Sequence, residues 1–198
     1  MAGLAMNKAR IAAILAPLLF AACQAAPGEA PLAGAKMGGP FTLTSQTGAK
    51  VSDTQFAGQY RLIYFGYSYC PDVCPVDLQK LMQGLQKLEK QDAAKAAKIQ
   101  PIFITIDPKR DTPDVLKQYV SAFHPRLIGL TGSEAEIAAV AKEYAIYYRK
   151  AEGGTADAYL VDHARQATLY GPTGDPIALI PQDGTPDDIA AELAKWVK

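Results

Sequence analysis

The stretch that most limits the possible folds is the apolar run Leu62–Tyr67, which leads almost directly into two cysteines. A nearly continuous apolar run of this kind is typical of a central strand buried on both faces, here predicted over residues 61–67. Apolar residues then recur at alternating spacings of four and three, which predicts an amphipathic helix. These residues are Cys74, Leu78, Leu81, Leu85 and Leu88. A buried strand followed by an amphipathic helix indicates an α/β domain.

The same alternation of strand and helix continues along the chain. Apolar patterns predict strands over residues 102–106 and 127–130, and a further short strand over 146–149. Two N-terminal capping patterns, at Thr112 and at Ser133, open the helices that follow the first two of these strands. The repeated order indicates a sheet whose central strands are parallel and connected by helices.

Shorter elements surround this core. They are a hairpin over residues 41–51, strands over 159–161, 167–170 and 177–180, and a closing helix over 186–197. The whole order predicts a thioredoxin-like fold, that is, a central mixed sheet flanked by helices, with an N-terminal β-hairpin extension. A chain of 198 residues that is 49% hydrophobic has room for one such domain with a substantial core.

The N-terminus has the pattern of a bacterial export signal. Lys8 and Arg10 precede an uncharged segment, residues 11–22, which is shorter than the about 20 residues that a helix needs to span a bilayer. The segment ends at Cys23 in a sequence that resembles a lipobox, in which the cysteine is lipidated and becomes the new N-terminus. Ordinary cleavage nearby and retention as an uncleaved anchor are the alternatives.

Three segments are therefore expected: a signal peptide of lipoprotein type over 1–22, a linker over 23–39 and the thioredoxin-like domain over 40–198. The linker is rich in Ala, Gly and Pro and has no periodicity. The 20 basic and 20 acidic residues of the whole chain cancel, so no basic face indicates a nucleic-acid partner.

Once Cys23 is assigned to the anchor, only Cys70 and Cys74 remain, which is too few for a disulfide-stapled scaffold. Thiols at the start of a helix favour thiolate, because the helix dipole and unpaired N–H groups stabilise negative charge. Such a pair can form a redox disulfide or bind a soft metal. Redox pairs of the thioredoxin kind have two residues between their cysteines, whereas three lie here. Residues four apart on a helix have Cβ atoms about 5–6 Å apart, which favours a shared metal without excluding a disulfide.

A metal site needs more than two thiolates, and the chain has only two histidines. His163 is the candidate third ligand, because it ends a predicted strand near a hairpin that lies beside the cysteine loop in a thioredoxin fold. His124 follows a helix and is expected to cap or pack there. Two thiolates and one imidazole suit Cu(I), and also Cu(II) with a weak further ligand, whereas a structural zinc site wants four ligands. Asp72 or Asp162 could supply an oxygen ligand, but Asp72 is rather expected to cap the helix, and Asp162 to orient His163 or close a turn.

Four motifs occur in the order found in one family. They are residues 66–75 (GYSYCPDVCP), 104–113 (ITIDPKRDTP), 129–132 (GLTG) and 159–163 (YLVDH). With these motifs the chain resembles the SCO/SenC family from residue 40 to about residue 195.

The resemblance implies a membrane-tethered domain that binds one copper ion through Cys70, Cys74 and His163. Family members serve assembly of the dinuclear copper centre of cytochrome c oxidase, as metal carriers, as thiol reductants, or as both. We therefore expect a monomeric copper metallochaperone whose partners are the copper-site subunit of the oxidase and a periplasmic copper donor. The expected location is the periplasmic side of the inner membrane, with a lipid anchor, or alternatively as a soluble or N-terminally anchored periplasmic protein.

Two enzymatic hypotheses compete with the carrier. In a thiol-disulfide oxidoreductase, Cys70 would attack a partner's disulfide and Cys74 would resolve the mixed disulfide. A peroxiredoxin-like peroxidase is the weaker hypothesis, because its usual threonine before the cysteine is missing; threonine does not occur between Thr54 and Thr105.

Overall fold

A computed structural model of the chain describes residues 28–155 and 158–198. Its strands are β1 (Thr42–Ser45), β2 (Lys50–Ser52), β3 (Tyr60–Gly66), β4 (Ile99–Thr105), β5 (Ile128–Thr131), β6 (Tyr148–Lys150), β7 (Val161–His163), β8 (Ala167–Tyr170) and β9 (Pro176–Ile180). Its helices are α1 (Val73–Gln91), α2 (Ala93–Ala97), α3 (Pro113–Ser121), α4 (Glu134–Glu143) and α5 (Pro186–Trp196), with a short 3-10 helix over Asp53–Phe56.

Seven strands form one mixed sheet in the order β2-β1-β5-β4-β3-β8-β9. The three central strands β5, β4 and β3 are parallel, and the outer strands on both sides run antiparallel to their neighbours. The predicted central mixed sheet and the N-terminal hairpin are both confirmed. Every residue of β3 is buried, as its apolar run predicts.

Helix α1 packs against α5, and Gly84 lies in this contact. A Cβ atom added there would lie 2.3 Å from Cγ2 of Ile189, so no other residue fits without movement. The face of α1 that points into the core is the predicted one, with all five of its apolar positions buried. This burial fixes the start of α1, and with it Cys74, against the end of β3.

The predicted helix caps are confirmed at two helices and wrong at a third. The side chain of Thr112 accepts a hydrogen bond from Val115 N at the start of α3, and Ser133 and Glu136 form a capping box at α4. Asp72 occupies the N-cap position of α1, but its side chain makes no capping hydrogen bond. Its backbone angles, φ −136° and ψ −89°, are not the extended values of an ordinary N-cap, which explains the difference.

The strand predicted over 159–161 lies two residues later, at β7, and it does not join the central sheet. It pairs with β6 in a separate two-stranded sheet, in which Tyr148 lies opposite His163. His163 is therefore the last residue of a strand in a small two-stranded sheet, called the β6–β7 layer below, that is separate from the main sheet.

Part of the segment predicted as a linker contacts the domain. Leu32 N donates to Ile177 O at 3.0 Å, Gly38 N donates to Glu143 O at 2.8 Å, and Met37 lies against the core. The predicted signal peptide and Cys23 lie outside the described residues. Within the described ranges, no helix is both long and apolar enough to cross a membrane.

Candidate metal centre

Three separate elements bring Cys70, Cys74 and His163 together. Cys70 lies in the loop after β3, Cys74 in the first turn of α1, and His163 at the end of β7. Their ligand atoms all lie within 4.8 Å of one another, and Cys74 Sγ is 3.1 Å from His163 Nε2. Among residues 28–155 and 158–198, this is the one group of three or more Cys, His, Asp or Glu residues close enough to share a metal ion.

The two cysteines come close by a different route from the predicted one. Helical spacing predicts both cysteines on one helix, but α1 begins at Val73, so Cys70 precedes it. A turn closes the loop instead, with Cys70 N donating to Tyr67 O at 3.3 Å. Both cysteines are free thiols.

The two thiols lie in different environments. Cys70 is half-buried, whereas Cys74 is completely buried. Burial raises the pKa of the Cys74 thiol well above its ordinary value. The prediction that the helix start favours a thiolate at Cys74 is therefore wrong for the metal-free protein, because the loss of solvation outweighs the helix dipole. A bound metal would supply the missing positive charge and displace the thiol proton.

His163 presents one defined nitrogen to the cysteines. Its Nδ1 lies 2.8 Å from the carbonyl oxygen of Ala164, which can only accept a hydrogen bond. Nδ1 therefore carries the hydrogen, and the lone pair of Nε2 faces Cys74 Sγ. Burial also lowers the pKa of His163 and keeps the ring neutral, the form that binds metals. The ring of Tyr67 meets the imidazole edge to face, with 6.0 Å between ring centroids.

Asp162 does not orient His163, so that prediction is wrong. Its carboxylate accepts a hydrogen bond from Arg149 Nε at 3.2 Å on the surface of the β6–β7 layer, and its side chain is 51% exposed. Neighbouring residues of a strand point to opposite faces, which turns Asp162 away from the imidazole.

His124 has the structural role expected from the sequence. It is buried, its Nδ1 accepts a hydrogen bond from Arg126 N at 3.1 Å, and its Nε2 lies 3.4 Å from Glu89. It is not among the three clustered ligand residues.

The loop that carries Cys70 is fixed by a buried carboxylate that the sequence reasoning did not single out. Asp111 accepts hydrogen bonds from the backbone N–H of Ser68 at 3.0 Å, from the Ser68 hydroxyl, and from Thr105 Oγ1 at 2.6 Å. Its burial raises the pKa of its carboxyl group. The available signal was the polar sequence directly after β4, at the same end of the sheet as the end of β3.

A second overlooked group lies beside Cys74 and His163. Asp77 is 1% exposed, accepts a hydrogen bond from Tyr64 OH at 3.0 Å and pairs with Arg165 through both carboxylate oxygens. An acidic residue three positions after Cys74, on the buried side of α1, was the signal in the sequence.

An open cleft gives access to the cluster. It has a volume of about 400 Å³ and is lined by Cys70, Pro71, Leu160, His163 and Arg165, among others. A metal ion or a partner's side chain can therefore reach the half-buried Cys70 without movement of the core.

The fold and the site together define a thioredoxin-like domain with a cluster of two cysteines and one histidine. The sequence model of the SCO1/SenC family matches residues 29–198, so this chain belongs to that family. The mitochondrial SCO1 homolog of Homo sapiens is 39% identical over 162 residues, which cover 82% of this chain and 53% of the human protein. SenC of Rhodobacter capsulatus is 41% identical over 171 residues, which cover 86% of this chain and 74% of SenC. The chain thus spans about half the length of the human relative.

Solved structures agree with this assignment. Copper-bound ScoI of Bradyrhizobium japonicum matches with a TM-score of 0.73 and 40% identity, covering 81% of this chain and 99% of ScoI. BsSco, a member of the Sco family of cytochrome c oxidase assembly proteins with an identified disulfide switch, matches with a TM-score of 0.58 and 26% identity, covering 81% and 94%. The thioredoxin domain of a Bacteroides vulgatus thiol-disulfide oxidoreductase shares the fold, with a TM-score of 0.55 and 19% identity, covering 81% and 94%.

Proposed function

We propose that this chain is a copper metallochaperone that delivers copper to, or prepares, the dinuclear copper site of cytochrome c oxidase. The observation that carries the proposal is the convergence of Cys70 Sγ, Cys74 Sγ and His163 Nε2 from three elements. Membership of the SCO1/SenC family and its similarity to copper-bound ScoI support the proposal.

The donor set fits copper. Two thiolate sulfurs and one imidazole nitrogen favour Cu(I), and the same set with a weak further ligand suits Cu(II). A closed zinc site would need a fourth ligand, and within residues 28–155 and 158–198 no further Cys, His, Asp or Glu joins the three residues of the cluster. Copper would be cargo, one ion per chain, held by Cys74 from the buried side and by Cys70 and His163 from the side of the cleft.

Exchange of the ion with a partner would begin at Cys70. This cysteine is half-buried and lines the open cleft, whereas Cys74 is enclosed by the core. A partner's thiolate can therefore approach the metal beside Cys70 and replace that ligand first. A carrier needs at least one such accessible ligand, because a fully enclosed ion could not be passed on by ligand exchange.

Copper titration of the reduced domain tests the proposal. We expect the parent protein to bind about one copper ion per chain, and His163→Ala to lose tight binding because one of three ligands is removed. His124→Gln, a change at the other histidine, is the matched control and is expected to bind copper like the parent. Parent-like copper affinity of His163→Ala would contradict the assignment of the site.

The second candidate function is thiol-disulfide exchange, favoured by the pairing of one accessible and one enclosed free thiol. The Cys70 thiolate would attack a partner's disulfide and release one partner thiol, leaving a mixed disulfide. Cys74 would then attack the Cys70 sulfur and release the second partner thiol, so that the partner is reduced and Cys70–Cys74 is oxidised. His163→Ala should leave this exchange rate nearly unchanged, whereas a copper carrier depends on His163.

The proposed location is the periplasmic face of the inner membrane, with the domain tethered through a lipid on Cys23 and acting as a monomer. The export pattern of residues 1–22 and the small-residue sequence before Cys23 support it. A Cys23→Ser variant is expected to shift from the membrane fraction to the soluble periplasmic fraction. Unchanged membrane retention would favour an uncleaved N-terminal anchor.

A further inference from the structure

Asp77 and Arg165 form an ion pair with both carboxylate oxygens engaged. Arg165 Nε donates to Asp77 Oδ2 at 3.0 Å, and Arg165 Nη2 donates to Asp77 Oδ1 at 2.7 Å. Paired donor geometry of this kind fixes orientation as well as distance. The Arg165 side chain is 44% exposed, whereas that of Asp77 is almost completely buried. The guanidinium therefore covers the carboxylate on its solvent side.

The pair connects the two segments that carry Cys74 and His163. Asp77 follows Cys74 by three residues on α1, which places both on the same face of the helix. Arg165 follows His163 by two residues, where the chain leaves β7. Tyr64 of β3 donates to Asp77 Oδ2 at 3.0 Å and holds the carboxylate from below.

Within the described residues, apart from this ion pair and the contact between the candidate ligands themselves, the hydrogen bonds of the His163 segment, such as Ala164 N to Tyr147 O at 2.9 Å, do not reach α1. Strand β7 has only three residues and pairs with β6 rather than with the central sheet. The hydrogen bond of His163 Nδ1 goes to the next residue in the chain, so it orients the ring but does not attach the segment to α1. Val161 N donates to Tyr67 OH at 3.2 Å and attaches the other end of β7.

We propose that Asp77 and Arg165 are positioning residues that hold His163 Nε2 against Cys74 Sγ before the metal arrives. This inference rests on the proposed function, because it concerns the readiness of the same three ligands. Groups behind the ligands of a metal typically change its affinity by about 10- to 100-fold when they are removed. We assign the Asp77–Arg165 pair such a supporting role for His163, because the three-residue strand β7 does not attach His163 to α1.

The decisive variant is the double substitution Asp77→Asn/Arg165→Met. It removes both charges together, because removing Arg165 alone would leave a buried, unpaired carboxylate and could unfold the domain. We expect copper affinity to fall at least tenfold, and the imidazole resonances of His163 in the metal-free protein to broaden or shift. Arg149→Met breaks the exposed Arg149–Asp162 pair of the same β6–β7 layer and is expected to leave both measurements unchanged.

A double-mutant cycle separates positioning from general stability. In a His163→Ala background, Asp77→Asn/Arg165→Met should cause no further loss of copper affinity, because the pair acts through the missing ring. A further loss of tenfold in that background, or parent-like affinity and His163 resonances in the double variant, would overturn the inference. If the parent binds no copper, the proposed function fails, while the His163 resonances still decide whether the pair positions the ring.

Discussion

Gly66 lies directly beneath the candidate site, and replacing it with alanine should damage copper binding more than stability. Gly66 is the last residue of β3. A Cβ atom at this position would lie 3.1 Å from each of three atoms: Cys74 Sγ, Phe103 Cε2 and Tyr64 Cε1. Carbon atoms in good contact are separated by about 3.5–4.0 Å, so the neighbours would have to move by a few tenths of an ångström.

The cysteine sulfur is the neighbour best placed to move. All three neighbours are buried, but the sulfur is a single atom that moves by rotation about the Cα–Cβ bond of Cys74, whereas displacing either ring moves several packed atoms. Metal sites tolerate deviations of only about 0.2 Å in ligand distance. A displacement of a few tenths of an ångström is at least as large as that range, so we expect at least a tenfold loss of copper affinity, comparable to the loss of a supporting group.

The cost in stability should be modest. Overpacking of a core typically costs about 1–3 kcal/mol, and the lower chain entropy of alanine offsets about 0.5–1 kcal/mol of this. Gly84→Ala is the matched control, because its Cβ atom would meet Ile189 Cγ2 at only 2.3 Å in the contact between α1 and α5. It is expected to destabilise the fold at least as much while the copper affinity of the folded protein stays at the parent level.

Competition with a Cu(I) chelator measures the affinity, and urea unfolding of the metal-free proteins measures the stability. The reasoning is refuted if folded Gly66→Ala binds copper like the parent. It is equally refuted if Gly84→Ala loses as much affinity as Gly66→Ala, because copper binding would then follow stability rather than the position of the sulfur.

Four further outcomes are expected. In the reduced protein, iodoacetamide should modify Cys70 at least tenfold faster than Cys74, because burial hides Cys74 and raises the pKa of its thiol. Mass spectrometry over time measures both rates. Arg61 is 5% exposed and its Nε has no hydrogen-bond partner among the described residues, so Arg61→Met should raise the free energy of unfolding by about 1 kcal/mol in urea titrations. Thr185→Ala removes the capping box of α5 and should lower the free energy of unfolding by about 1 kcal/mol. Burial lowers the pKa of His163, so the unfolded chain takes up a proton first; the metal-free protein should lose stability as the pH falls through about 6.5, and His163→Ala should lack that loss.

The sequence predicted the fold where the signal was a repeated pattern. The apolar run of β3, the spacing of buried residues on α1 and the capping box at Ser133 each report burial or local hydrogen bonding directly. Strand β7 was misplaced by two residues because its burial alternates and its partner β6 is only three residues long. Short strands outside a central sheet carry little periodicity, so tertiary pairing decides their ends.

The sequence identified the three residues that the structure brings together, but not the roles of their neighbours. Asp72 and Asp162 were given roles from sequence adjacency, yet backbone angles at one and the alternation of side chains along β7 at the other point them elsewhere. Asp77, Asp111 and Arg165 act across the fold: Asp77 bonds to Tyr64, 13 residues away, and to Arg165, 88 residues away, and Asp111 bonds to Ser68, 43 residues away. No local rule identifies such pairs, because each depends on which strand ends meet.

The three residues between Cys70 and Cys74 do not place the two cysteines on one helix, as helical spacing predicts, but on two different elements. Because α1 begins at Val73, the three intervening residues place Cys70 in the preceding loop and Cys74 in the first helical turn. Asp111 fixes the loop through Ser68, while Asp77 fixes the helix side through Arg165. The Cys70 loop and the segment after His163 are thus held by two separate buried carboxylates. This separation allows one ligand to be exchanged while Cys74 and His163 keep their geometry, which is what transfer of a metal ion requires and what a purely structural site does not need.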